Sequence, residues 1–349
     1  MKKGVIFSSL LALLMLPGSF AQDLVDVVFQ SKWFPQAQFA GYFVAQEKGF
    51  YAEEGLNVTI LDGGNVNPTV QVASGNADFG TDWIANMLIQ REQGLNVVQI
   101  AQVFQDSGYR MVALADSGIE SFADMAGRKV GVWAFGNEFV AQAVFTVEGL
   151  SSNLDASVTD PDVETVVYAF DPSLVFPNEV DVASAMIYNE LDQIVGLGYP
   201  LEDLSVLNPA DIDAALLEDL IFTTPDLLAS ENFKDSGLSG REVAERFVRA
   251  TLKGWQYAVD NQDETVFTLI GLCGDTCAGS GSTQSPLIHQ TWQMARVAEL
   301  VKPSEDTMIG HIDQAAWERS VELLVQVGLI QDAVGFADGV DMSILEAIQ

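Results

Sequence analysis

One local pattern occurs four times along the chain: an apolar strand ends, and aromatic and polar side chains then open a helix. The first and longest copy is residues 32–54, KWFPQAQFAGYFVAQEKGFYAEE. Pro35 ends the apolar run before it, because proline lacks a backbone donor and has a fixed φ. The spacing of apolar residues then predicts a helix from about residue 39 to residue 48, which Gly49 ends in the left-handed conformation. A chain built from such units is expected to fold as an α/β protein.

Strands and helices alternate twice over, which predicts two lobes. Residues 22–115 form the first α/β unit, and residues 116–221 repeat the same order of elements after a hinge at Asp116-Ser117-Gly118. The apolar strand at residues 220–224 is predicted to carry the chain back across the hinge. Residues 222–349, which are mostly helical, then complete the first lobe, and a ligand cleft is expected between the lobes.

The four turns are the expected ligand site. They span residues 33–38, 80–83, 133–138 and 188–190, and in open α/β sheets ligands bind beyond the carboxyl ends of strands. Aromatic rings would stack on a flat, partly cationic heterocycle, while amides and carboxylates would pair with its edge. The candidate ligand-binding residues are Trp33, Phe34, Gln36, Gln38, Phe39, Tyr42, Asp82, Trp83, Trp133, Asn137, Glu138, Tyr188, Asn189 and Glu190. Taken singly, some could fill the core or cap a helix, but their recurrence at all four turns favours a ligand site.

Signals of catalysis are weak. The sequence contains no G-x-S-x-G elbow, no phosphate-binding glycine loop and no H-E-x-x-H helix. Its two histidines, His289 and His311, both lie in the helical tail, far in sequence from the four turns. An exported enzyme of pyrimidine metabolism that uses Glu138 and Glu190 as acid and base is the alternative. Neither a cofactor nor a metal is expected.

Residues 1–21 predict export. They carry a basic start, an apolar run and a Ser-Phe-Ala cleavage site, which is the pattern of a secretory signal peptide. The mature protein is expected to be soluble, without a lipid anchor or a membrane span. In an oxidising compartment, Cys273 and Cys277 are expected to form a small disulfide loop. A redox pair or a metal pair are the alternatives, and a metal site would need more ligands.

The chain is strongly acidic, with 16 Lys and Arg against 49 Asp and Glu. Without Lys2 and Lys3 the balance of the mature chain is 14 − 49 = −35. A nucleic-acid partner is not expected, because no basic patch could neutralise phosphates. The acidity could serve to capture a cationic partner, but its even spread favours a solvated shell that keeps an exported protein soluble.

Several motifs occur in a characteristic order: KWFPQAQFAGYFVAQEKGFYAEEGLNVTI, SGNADFG, RKVGVWAFGNEF and SAMIYNELD. Over about residues 25–260 the chain thereby resembles the periplasmic substrate-binding proteins of ABC importers in the THI5/NMT1-like group, which is similar to the sulfonate, taurine and nitrate binders. The resemblance implies a type II periplasmic-binding-protein fold whose lobes close on a ligand. It also implies a monomer in the periplasm that delivers its ligand to a membrane permease driven by a cytoplasmic ATPase.

The ligand implied by the resemblance is a thiamine-precursor pyrimidine of the hydroxymethylpyrimidine or formyl-aminopyrimidine type, with riboflavin as an alternative. The eukaryotic pyrimidine synthase of the same superfamily has a histidine in an N-x-N-H turn and a CCCFC motif. Here residues 36–39 read QAQF and no cysteine cluster exists, which disfavours a synthase. A sulfonate or nitrate is also disfavoured, because no arginine lies in the four turns. Arg110 and Arg128 would change this if they reached the cleft.

Overall fold

The computed structural model describes residues 24–64, 66–134, 136–274, 277 and 284–349. The predicted signal peptide lies outside these residues. The strands are β1 (Val25–Gln30), β2 (Leu56–Leu61), β3 (Phe79–Asp82), β4 (Val98–Gln102), β5 (Tyr109–Leu114), β6 (Lys129–Val132), β7 (Glu164–Val167), β8 (Val182–Met186), β9 (Leu204–Leu207) and β10 (Leu220–Thr223). They form two five-stranded sheets with the orders β2-β1-β3-β10-β4 and β7-β6-β8-β5-β9. The expected α/β class with two sheets is therefore confirmed.

Most strands lead into a helix, as the repeated pattern predicts. The helices are α1 (Ala40–Glu47), α2 (Phe50–Glu53), α3 (Pro68–Ala73), α4 (Ile84–Glu92), α5 (Phe139–Glu148), α6 (Glu190–Gly196), α7 (Pro225–Ala229), α8 (Gly240–Asp260), α9 (Gln262–Cys273), α10 (Pro286–Val301), α11 (Gln314–Gln326), α12 (Phe336–Gly339) and α13 (Ser343–Ile348). A 3₁₀ turn, Ala37–Phe39, precedes α1. No helix in the described ranges combines the length and the apolar character needed to cross a membrane.

The first sheet is mainly parallel. β1 pairs in parallel with β2 on one side and with β3 on the other, and β10 lies antiparallel between β3 and β4. All five residues of β4 are buried, as expected when both faces of a sheet are covered. The parallel strands β1 and β3 end at the same edge, which brings the turns that follow them close together.

The second sheet contains β5, which corrects the predicted lobe boundary. β5 pairs antiparallel with β8 and with β9. The chain therefore leaves the first sheet between β4 and β5, at residues 103–108, before the hinge predicted at residues 116–118. The prediction was wrong because a short apolar strand gives no sign of which sheet it joins. The return crossing is residues 208–219, so β10 brings the chain back to the first sheet at residue 220.

One buried carboxyl group joins the two crossings. Glu218, in the return crossing, accepts hydrogen bonds from the Ser107 hydroxyl and the Gly108 amide of the outgoing crossing. Burial raises the pKa of Glu218 to about 8, because a charged carboxylate loses its hydration there. The connection between the lobes thus contains a group that titrates within the physiological range.

The wild-type protein is expected to lose stability as the pH rises from about 5 to about 8, and Glu218→Gln is expected to lose less. The folded protein holds the Glu218 proton more tightly than the unfolded chain does. This group's contribution is therefore complete below its ordinary pKa of 4.5 and is lost as the pH rises through about 8. Calorimetry at both pH values should show a larger fall in melting temperature for the wild type than for the variant. Equal falls would contradict the assignment.

Helices α1 and α8 approach each other through two glycines. A Cβ atom built on Gly254 would lie 2.1 Å from the Gly41 carbonyl oxygen, and one built on Gly41 would lie 2.2 Å from the Trp255 ring. The absence of side chains at both positions lets the backbones come this close. Since α1 follows directly from the turn after β1, this contact also fixes the position of that turn.

Candidate functional site

A cavity lies where the carboxyl ends of β1, β3, β6 and β8 face each other. The empty space in it is about 410 Å³, including the part that opens to solvent. All four predicted turns contribute to its wall. The lining residues are Lys32, Trp33, Gln36, Gln38, Trp83, Trp133, Asn137, Phe170, Met186, Tyr188, Asn189 and Glu190.

The turn after β1 is fixed by the loop after β2. The amides of Gly63 and Gly64 donate to the carbonyls of Trp33 and Lys32, respectively. A Cβ atom on Gly63 would lie 2.2 Å from the Lys32 carbonyl carbon, so a residue with a side chain would displace the turn. This approach of two backbones sets where Lys32 and Trp33 stand in the cavity wall.

A buried carboxyl group behind the wall orients two lining side chains. Asp219 accepts hydrogen bonds from Gln38 Nε2 at 2.9 Å and from Trp83 Nε1 at 3.1 Å. Burial raises the pKa of Asp219 to about 7. The oriented Gln38 amide in turn accepts from Gln36 Nε2 at 2.7 Å. The amides of the first turn therefore have a defined direction before any ligand binds.

Lys32 is the cationic side chain of the cavity wall, and it is already paired. Its Nζ lies 2.8 Å from Asp82 Oδ1 and 4.8 Å from the centroid of the Trp83 ring. Arg110 and Arg128, which would favour a sulfonate or nitrate ligand if they reached the cleft, do not line the cavity. Arg110 donates to backbone carbonyls, and Arg128 donates to a carbonyl and pairs with an aspartate. Among the described residues, the cavity wall thus contains no uncompensated positive charge.

Aromatic rings form the apolar walls. The Phe170 ring is nearly parallel to Trp133, with centroids 5.8 Å apart and an interplanar angle of 26°, and it contacts Trp33 at 4.7 Å. Trp33 belongs to the first lobe and Trp133 to the second, so Phe170 bridges rings from both sides. Such faces favour a flat ligand, since stacking adds to the burial of apolar area.

Glu190 is the carboxyl group that lines the cavity. It is 3% exposed, its Oε2 accepts from the Met186 amide at 2.9 Å, and its Oε1 accepts from Asn189 Nδ2 at 2.8 Å. Burial raises the pKa of Glu190 to about 7, against the lowering effect of these hydrogen bonds. Near neutral pH this group can therefore donate one proton or accept one at the edge of a ligand.

Helix α10 packs behind the cavity wall, although it is far in sequence from the four turns. His289 is fully buried, with Nδ1 2.6 Å from Asp192 Oδ2 and Nε2 2.9 Å from Asn189 Oδ1. One turn later, Gln293 Nε2 donates to the same Asn189 oxygen at 2.9 Å. His289 does not line the cavity, but it contacts Asn189, which does, because α10 packs against α6 although Asp192 and His289 are 97 positions apart in sequence.

The two cysteines are joined as a disulfide, with Cα atoms 5.4 Å apart. Gln290 connects this loop to the cavity, because its Nε2 donates to the Cys277 carbonyl and its Oε1 accepts from the Ala37 amide at 2.8 Å. Within the described ranges, no cluster of three or more His, Cys, Asp or Glu side chains could hold a metal ion.

Five of the candidate residues do not line the cavity. Phe39, in the 3₁₀ turn, and Tyr42, in α1, are each 1% exposed and belong to the hydrophobic core, where Tyr42 stacks on Phe29 of β1. Phe34 is 44% exposed. Asp82 lies behind Lys32, and Glu138 accepts a hydrogen bond from the Gly136 amide. These five residues support the wall or the core rather than forming the cavity surface.

Sequence comparison finds full-length relatives that are binding proteins. The chain is 26% identical over 322 residues to the riboflavin-binding protein RibY of Chloroflexus aurantiacus, covering 89% of this chain and 83% of that protein. It is also 26% identical over 346 residues to the formylaminopyrimidine-binding protein of Halalkalibacterium halodurans, covering 93% and 94%.

Structural comparison gives the fold. The periplasmic aliphatic sulphonate binding protein SsuA from Escherichia coli superposes with a TM-score of 0.62 at 12% identity, covering 91% of this chain and 92% of that chain. The expected type II periplasmic-binding-protein fold is thereby confirmed. The family model described as "NMT1/THI5 like" matches residues 36–265. This match spans more than half of the sequence, and the chain belongs to the NMT1/THI5-like family.

Proposed function

We propose that this protein is the substrate-binding component of an ABC importer and that it binds a thiamine-precursor pyrimidine. The observation that carries the proposal is a buried carboxyl group, Glu190, set between aromatic walls. The protein would be exported to the periplasm and would hand its ligand to a permease. The full-length relatives named above support a binding protein over an enzyme.

The chemistry of an aminopyrimidine fits this site. Its edge presents a ring nitrogen, which accepts a hydrogen bond, beside an exocyclic amine, which donates one. A protonated Glu190 can donate to the nitrogen and accept from the amine, and an ionised Glu190 can pair in the same way with a protonated ring. Because the pKa of Glu190 is raised to about 7, the proton can lie on either partner. Trp133 and Tyr188 would cover the faces of the ring.

An inorganic or sulfonate anion fits less well. The Lys32 ammonium is neutralised by Asp82. Glu190 in the wall, when ionised, would repel an anionic ligand. Binding of such an anion would also have to overcome the field of a mature chain with a net charge of −35. We therefore propose a heterocycle, rather than sulfonate or nitrate, as the ligand.

Riboflavin is the second candidate, because the cavity continues into a groove. The groove shares Lys32, Trp33, Asn137 and Phe170 with the cavity, and its volume is about 1130 Å³, including open solvent. Among the described residues, its wall includes the amides of Asn67, Asn86, Gln90, Gln93 and Asn137 and no Asp or Glu. Amides both donate and accept, which suits the hydroxyl groups of a ribityl chain.

Thermal unfolding of the mature protein with a ligand panel tests the proposal. The panel contains hydroxymethylpyrimidine, formyl-aminopyrimidine, riboflavin, taurine and nitrate. A ligand that binds only the folded state stabilises it by about 2.7 kcal/mol at a concentration of 100 Kd, so a pyrimidine should raise the melting temperature by several degrees. A rise with riboflavin alone would replace the ligand, and a rise with taurine or nitrate alone would contradict the proposal. If chromatography showed that the protein converts a pyrimidine to a product, the result would favour an enzyme.

A further inference from the structure

The Asn189 amide occupies a central position between His289 and Glu190. Its oxygen lies 2.9 Å from His289 Nε2, 2.9 Å from Gln293 Nε2 and 3.3 Å from Gln193 Nε2, while its nitrogen donates to Glu190 Oε1 at 2.8 Å. All groups around the oxygen carry or can carry a proton. An amide turned by 180° would place its own NH₂ against these donors and its oxygen against the Glu190 carboxylate, which is unfavourable at both ends.

His289 is itself held from the other side. Its ring is 0% exposed, and Nδ1 lies 2.6 Å from Asp192 Oδ2. Asp192 also accepts a hydrogen bond from Gln284 Nε2 at 2.8 Å. The ring therefore lies between Asp192 and Asn189, with one nitrogen facing each, and Gln293 Nε2 lies 3.0 Å from the nitrogen that faces Asn189. The series of contacts is therefore continuous from Asp192 through His289 and the half-buried Asn189 to Glu190.

We propose that His289 is a positioning residue of the binding site, which holds the Asn189 amide with its nitrogen towards Glu190 and so sets the hydrogen-bonding pattern that Glu190 offers to a bound ring. The role of Glu190 towards a ligand rests on the function proposed above, whereas the orientation of Asn189 does not. His289 does not line the cavity, so it acts through Asn189 and not by touching the ligand.

A measurement without ligand tests the orientation. The Asn189 hydrogen bond lowers the pKa of Glu190, so its loss in His289→Gln should move the Glu190 titration to higher pH by about half a unit or more. Carbon NMR of protein labelled at the glutamate carboxyl groups, assigned with Glu190→Gln, measures this midpoint. His311→Gln is the matched control, because His311 is exposed and should leave the midpoint unchanged. An unchanged midpoint in His289→Gln would overturn the proposal.

A second variant and a second readout separate positioning from a structural role. If His289→Gln does not fold, Asp192→Asn takes its place. This substitution keeps the size of the side chain but weakens the hydrogen bond to the His289 ring, so it should move the midpoint of the Glu190 titration in the same direction. With ligand, the ratio of affinities for hydroxymethylpyrimidine and its 4-oxo analogue should fall at least about tenfold in His289→Gln, which corresponds to about 1.4 kcal/mol. A merely structural role would weaken both ligands equally. If neither ligand binds the wild type, the proposed function fails, and the NMR midpoint still decides the orientation of Asn189.

Discussion

Glu190→Leu is expected to lose about 100-fold or more in affinity for an aminopyrimidine. Leucine has a similar volume but offers no partner to the ring nitrogen or to the exocyclic amine, which would then be buried without hydrogen bonds. Each hydrogen bond to a charged group contributes about 1.5–3 kcal/mol, and 1.4 kcal/mol is a factor of ten in affinity. Titration calorimetry of both proteins with hydroxymethylpyrimidine measures the loss.

Glu138→Gln is the matched control for this experiment. Glu138 occupies the corresponding position after β6, but its carboxylate accepts from the Gly136 amide and does not line the cavity. We expect the affinity of Glu138→Gln for hydroxymethylpyrimidine to differ less than about threefold from that of the wild type. A change in a residue behind the cavity wall costs less affinity than the loss of a direct contact with the ligand. Equal affinity of Glu190→Leu and wild type would remove Glu190 from the site. A large loss in Glu138→Gln would revive the acid–base pair of the enzyme hypothesis.

Gly254→Ala is expected to have the largest effect on stability, about 3 kcal/mol or more. Its new Cβ would lie 2.1 Å from the Gly41 carbonyl oxygen and 2.7 Å from Ala45 Cβ, and a backbone atom cannot move aside as a flexible side chain can. Helices α1 and α8 would have to separate, and overpacking of a core commonly costs about 1–3 kcal/mol, occasionally more. Denaturant unfolding measures the change.

The control for this prediction is Gly271→Ala in α9. Among the described residues outside the backbone of α9 itself, no atom lies within 4 Å of a Cβ built there, so the substitution should stabilise the protein by up to about 1 kcal/mol through its helix propensity. Opposite signs at the two positions would show that the close approach of α1 and α8, and not glycine content, decides stability. A neutral Gly254→Ala would mean that the helices can separate without cost.

Local patterns predicted which residues line the cavity better than they predicted long-range pairing. Trp33, Trp83, Trp133 and Tyr188 line one cavity because each follows a strand, and the carboxyl ends of these strands face each other. Phe170 follows β7 and precedes Asp171 and Pro172, and it could have been counted as part of a fifth turn. Lys32 stands next to Trp33 and was overlooked as a lining residue.

The remaining differences depend on tertiary contacts that no local pattern contains. The position of His289 follows from the packing of α10 against α6, and the sheet to which β5 belongs follows from its pairing with β8 and β9. Phe39 and Tyr42 were predicted at the site because they are aromatic and close to it in sequence. Their place in the core depends instead on the directions in which the 3₁₀ turn and α1 face.

The seating of α10 restricts the route by which a ligand can enter and leave. Gln290 ties this helix to the Ala37 amide of the first lobe, and His289 ties it to Asp192 of the second. Among the described residues, the cavity is therefore closed on that side. Past Lys32 and Trp33 the cavity continues into the groove. If the protein delivers its ligand to a membrane permease, as we propose, the permease would approach this groove, and a bulky label near the groove should slow both uptake and release.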